Sequence, residues 1–176
     1  NSVYAQTTVG SVVSIRDGNE WHYFKGITAP PSHWNRNEFD DSNWLKGQSG
    51  FGYGRGSYQT VLPDMRGSYK TVYARKEFVV KDIYEVTGLT LSVVCDGPFV
   101  AYLNGVEVIR NDAVNTTDQS KVILPVDELD ISGFIHELFP GKNELSVECS
   151  NDDINSRNFY FSPNFEVLEY QGGNVK

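Results

Sequence analysis

At 176 residues the chain is long enough to bury roughly 70% of its unfolded surface as one domain, so no disulfide staple is required for folding. It carries 23 acidic against 15 basic residues, a net charge of −8 with no Lys/Arg cluster, which excludes a nucleic-acid partner because such binders need a basic face. No apolar run approaches the roughly 20 residues of a membrane helix, so no membrane insertion is expected.

The chain starts at Asn1 with no visible signal peptide, which reads as a processed chain or an excised module of a larger secreted protein. Aromatic residues make up 13%, a content that suits sandwich cores and sugar-stacking surfaces alike.

In chain order, 12–16 and 21–25 are short strands separated by the turn signal Asp17-Gly18-Asn19. Pro30-Pro31 ends the second and opens a polar loop that carries Trp34 and Trp44; within it, Asp40-Asp41-Ser42 reads as a side-chain-capped turn. The glycine-dense segment 47–56 is predicted to be a loop, since such density disfavours a regular strand. Segments 69–80 and 89–95 alternate as longer strands.

Asn104-Gly105 then joins two strands within 99–109. Both central residues of a type I′ turn need φ > 0, which this pair supplies at little steric cost. Segment 111–120 is polar and predicted to be a surface loop, and 132–139 is a short helix stopped by Pro140-Gly141. Segments 143–149 and 165–170 are the closing strands, while 1–8 and 172–176 are read as frayed tails. Many short strands between turn signals predict an all-β fold, an antiparallel β-sandwich or jelly roll with one short helix. The expected organisation is a single domain over 1–176 with its core from about 10 to 170.

Catalytic constellations are missing. Gly47-Gln48-Ser49-Gly50-Phe51 has Phe where a nucleophile elbow needs its second glycine. The run Gly50-Phe51-Gly52-Tyr53-Gly54 lacks the spacing and βαβ context of a dinucleotide site. His22, His33 and His136 stand in separate elements without helical ligand spacing. Asp152-Asp153 reads as a solvated turn; a hydrolase built on either would need a second carboxylate across a cleft.

Cys95 and Cys149 end their strands at inward parity, as a buried thiol pair or, if their strands are neighbours, a bridge. No cofactor is expected. Asp40-Asp41 offers hard oxygen ligands for a structural Ca²⁺, but without an EF-hand pattern.

In order and spacing, Trp21-His22-Tyr23, Phe39-Asp40-Asp41-Ser42-Asn43-Trp44, Gly50-Phe51-Gly52-Tyr53-Gly54, Tyr73-Ala74-Arg75-Lys76-Glu77-Phe78, Val100-Ala101-Tyr102-Leu103-Asn104-Gly105 and Gly141-Lys142-Asn143-Glu144-Leu145 resemble bacterial extracellular modules with the galactose-binding-like jelly roll. Related patterns occur in the sugar-binding domains of family 2 glycoside hydrolases. The resemblance implies a non-catalytic β-sandwich attached to a hydrolase or surface protein, frequently as a carbohydrate-binding module. Two positions depart from the pattern: Cys95-Asp96-Gly97, where an acidic pair often precedes the glycine, and Cys149-Ser150-Asn151, where a His-Gln-like pair often follows the strand.

In such a sandwich selectivity belongs to loops gathered at one end. The candidate loops supply Tyr53, Arg55, Tyr58, Asp64 and Arg66, then Asp96, then Asp152, Asp153 and Arg157, with Trp34 as a second stacking platform. Sugar recognition wants a flat apolar face plus planar polar groups for adjacent hydroxyls. Against this, Tyr53 and Tyr58 can pack beneath the glycine loop while Arg55 and Arg66 pair with acids. Trp21 and Trp44 are read as core. The expectation is an extracellular module that binds a poly- or oligosaccharide beside covalently linked neighbouring domains. The alternative is a structural or protein-interaction module with no sugar ligand.

Overall fold

Alternation along 86–95 makes the first sheet face: Leu89, Leu91 and Val93 are fully buried, while Thr90 and Ser92 between them are half-buried on the other side. A computed structural model describes residues 8–112 and 126–171. Within them twelve strands form: β1 (Thr8–Ile15), β2 (Glu20–Lys25), β3 (Leu45–Gln48), β4 (Phe51–Tyr53), β5 (Thr60–Val61), β6 (Thr71–Val80), β7 (Val86–Cys95), β8 (Phe99–Leu103), β9 (Val106–Asn111), β10 (Val126–Asp130), β11 (Gly141–Ser150) and β12 (Phe159–Gln171). One sheet has the order β10-β7-β12-β4-β5, with β1 also paired to β12, and the other has the order β3-β2-β6-β11-β8-β9. All pairings are antiparallel except β4 with β5. The all-β sandwich expected from the sequence is the fold observed.

Between the sheets, Phe78 of β6 meets Phe165 of β12 at 5.1 Å, and Tyr23 of β2 meets Phe51 of β4 at 5.1 Å. Trp21, Ala74, Ala101, Leu103, Leu145 and Val147 complete the second sheet's inner face. The expected short helix is a 3-10 turn at Ser132–Glu137, packed against β7.

The predicted hairpin is present, with Asn104 at φ 51° and Gly105 at φ 90°. Asn104 also anchors that end of the sandwich. Its amide nitrogen donates to Glu137 O and Asn143 Oδ1, both at 2.8 Å, while its Oδ1 accepts Glu144 N–H at 2.8 Å.

Three sequence expectations change. The segment 47–56 is not all loop, because β3 and β4 occupy part of it. Glycine at position 52 reflects close approach: a Cβ there would lie 2.3 Å from Phe159 O and 2.5 Å from the Tyr58 ring. The acidic β10 was not anticipated; it is a sheet-edge strand paired to β7. Thr8 begins β1 and is not part of a tail. The tail positions 1–7 and 172–176, and positions 113–120 of the predicted loop 111–120, lie outside the described residues, while Asn111 of that loop is the last residue of β9.

Candidate functional site

Segment 26–44 crosses the outer face of the second sheet as a strap. Its tryptophans stack on each other, with Trp34 and Trp44 centroids 6.1 Å apart. Trp34 stands edge-on to Tyr73 at 5.0 Å and Tyr102 at 5.7 Å, while Trp44 packs on Phe24 at 5.2 Å. Trp34 is therefore only 6% exposed, and the platform expected of it is corrected: its faces are consumed by the protein. Trp44, expected in the core, is half-buried in this outer layer instead, whereas Trp21 is core as expected.

The strap is held by Arg75 of β6. This buried guanidinium donates from Nε to Asp41 Oδ2 at 2.7 Å, lies 3.2 Å from Glu144 Oε2, and donates to the carbonyls of Trp34, Arg36 and Phe39. Asp41 Oδ1 meets His22 Nδ1 at 2.6 Å; Asp40 Oδ1 accepts Ser42 N–H, a capped turn as expected. Among the described residues no group of three metal-ligating side chains converges. Glu144 is 4% exposed and its Oε1 lacks a hydrogen-bond partner. Burial outweighs the attraction of Arg75 and pushes its carboxyl up to about 8. A cleft of about 200 Å³ opens here, walled by His22, Asn37, Phe39 and Lys76.

Most of the residues proposed from the sequence meet elsewhere, at the end of the sandwich where β7 gives way to β8. The loop 151–158 is the hub. Buried Asn151 donates from Nδ2 to Asn158 O at 2.9 Å and from its backbone N–H to Lys70 O at 2.7 Å. Arg66 Nε donates to Asn155 O at 3.1 Å, Arg55 N–H to Asn158 Oδ1 at 2.8 Å, and Asp96 N–H to Tyr160 O at 3.1 Å. Asp152 and Asp153 lie exposed on the hub, and Asp153 Oδ1 caps its own turn by accepting Asn155 N–H. Arg157 is exposed beside them.

Tyr53, 8% exposed, is a pin and not a platform: its hydroxyl donates to Ser156 O at 2.8 Å. Tyr58 differs. Its hydroxyl lies 2.8 Å from both Tyr53 O and Arg55 O, and its half-buried ring covers Gly52 and tilts toward Tyr160 at 6.1 Å. Burial, then the charge of Asp96, raises its phenol above the ordinary value. Asp64 stands apart from the hub, ion-paired to Lys25 at 2.7 Å and accepting the Tyr69 hydroxyl at 3.2 Å. Burial opposes ionisation of Asp64, but the Lys25 hydrogen bond prevails and its carboxyl is lowered.

Arg75, Glu144 and His22 were missed as a set. A sequence signal was available: a Trp- and Phe-rich segment that covers an outer sheet face must bury the polar residues there, and those must be paired.

The fold is shared with segments of family 2 glycoside hydrolase structures. The chain superposes with a Bacteroides uniformis β-glucuronidase at TM-score 0.58 and 16% identity, covering 93% of this chain and 18% of that one. A β-glucuronidase from an uncultured Clostridium sp. gives TM-score 0.54 at 16% identity, over 95% of this chain and 30% of that one. A family 2 member from Bacteroides cellulosilyticus gives TM-score 0.55 at 16% identity, over 93% and 21% respectively. The chain thus corresponds to a minor segment of these enzymes. No protein-family model matches it, and neither does any curated protein.

Proposed function

We propose that the chain is a non-catalytic carbohydrate-binding module of a larger secreted protein, and that it takes a poly- or oligosaccharide at the hub end. The observation that carries this reading is Tyr58. Its ring is braced from behind by Gly52 and Tyr160, and Arg55, Asp96, Asp152, Asp153 and Arg157 stand on the adjoining loops. A sugar ring would lay its C–H face on the Tyr58 ring. The planar arginines and the carboxylates would then bridge neighbouring hydroxyls. The likeness to segments of family 2 glycoside hydrolases, each covered over less than a third of its length, supports an accessory role beside other domains.

A second reading, a structural module that positions a neighbouring domain and binds no sugar, is favoured by the burial of Trp34 and Tyr53. Screening against an array of plant, algal and host glycans separates the two. Retention on a defined glycan that Tyr58→Ala abolishes supports the module reading; retention on none favours the structural one.

A further inference from the structure

Beneath the hub lies a pair of thiols that the proposed binding role does not use. β7 ends at Cys95 in one sheet, β8 begins at Phe99 in the other, and only Asp96, Gly97 and Pro98 join them. Phe99 is in turn the register partner of Cys149 on β11. Four residue steps reach at most about 14 Å, so this short crossover holds Cys95 at the corner where the sheets meet, beside Cys149. The crossover is pressed against the end of β11. Ser150 N–H donates to Pro98 O at 2.9 Å, and a Cβ on Gly97 would come within 2.1 Å of Ser150 O, so only glycine fits. The two thiols interact, each shifting the other's titration, and the Cys95 S–H donates to Gly97 O at 2.9 Å. Both are free thiols, Cys149 fully buried and Cys95 half-buried.

We propose that Cys95 and Cys149 are a redox-active dithiol that closes into an intersheet disulfide on reaction with an external low-molecular-weight disulfide, Cys95 reacting first. The Cys95 thiolate attacks one sulfur of glutathione disulfide; that S–S bond breaks and one glutathione leaves as a thiol. Cys149 then gives up its proton and attacks the Cys95 sulfur of the mixed disulfide, releasing the second glutathione. Two protein thiols are oxidised and the two electrons reduce the external disulfide to two thiols. The order follows from access and from the opposite effects of the two thiols on each other. Cys149 lowers the thiol of Cys95 below its ordinary value, whereas burial raises that of Cys149. The closed bond would tie the loop 96–98 to the start of the hub.

The folded protein, first reduced, is incubated with glutathione disulfide and followed by intact mass, free-thiol count and thermal melting. The expected end product has lost two hydrogens and both free thiols, melts roughly 10 °C higher, and reverts with dithiothreitol. Cys95→Ser is expected to take up no glutathione, because Cys149 is out of reach. A wild-type protein that ends as a single glutathione adduct, or keeps both thiols, overturns the proposal; an adduct on Cys149 in Cys95→Ser overturns the order of attack.

Discussion

Arg75 Nε and Asp41 Oδ2 meet at 2.7 Å, and this contact joins the strap to the sheet it covers. The Arg75 guanidinium also serves Glu144 and three strap carbonyls, so one side chain from β6 satisfies groups that burial would otherwise leave stranded. Arg75→Met is expected to destabilise by about 3–5 kcal/mol, because it removes the donor shared by Asp41, Glu144 and the three strap carbonyls. Arg75→Lys should recover little of this, since a point charge cannot reproduce the planar fork. Denaturant midpoints of the two variants check both statements.

Glu144 sets a pH dependence with a definite sign. Its carboxyl is pushed up to about 8 in the folded chain from an ordinary value of 4.5. Across that window the native state holds a proton that the unfolded state has released, so stability should fall as pH rises from about 5 to about 8. Glu144→Gln, which stays neutral, should flatten the fall. Urea midpoints at the two pH values measure it, and an unchanged slope in the variant would remove Glu144 as its source.

Tyr53 tests whether the glycine-rich segment is scaffold or platform. Its ring is buried and its hydroxyl is tied to Ser156 O, so Tyr53→Ala is expected to cost about 3–5 kcal/mol of stability. Tyr53→Phe, which loses only the hydrogen bond, should cost about 1 kcal/mol. Chemical denaturation reads both, and a Tyr53→Ala variant of wild-type stability would return Tyr53 to the surface.

What could be read from the sequence follows how local the cause is. The period-two pattern of 89–95 and the Asn104-Gly105 turn are set by near neighbours, and both were legible. β4 was not, because the reason for Gly52 is the Tyr58 ring and the Phe159 carbonyl pressing on it from elsewhere in the chain. Trp34 looked like an exposed ring after Pro30-Pro31; Tyr73 and Tyr102, on strands far along the chain, bury it. The hub residues were named as candidates from their loops, but only the folded chain separates Tyr53, a pin, from Tyr58, a half-exposed ring, or detaches Asp64 onto Lys25.

The central claim is that this β-sandwich holds a glycan on Tyr58, and calorimetric titration with an oligosaccharide chosen from the array tests it most directly. Wild type should bind, and Tyr58→Ala and Arg55→Ala should each lose roughly tenfold or more in affinity, about the 1–3 kcal/mol of one stacking or charge-assisted contact. Arg55 is exposed, so its variant should keep the wild-type melting temperature. A protein that binds an array glycan equally well with Tyr58 and Arg55 replaced, or one that binds none, contradicts the account.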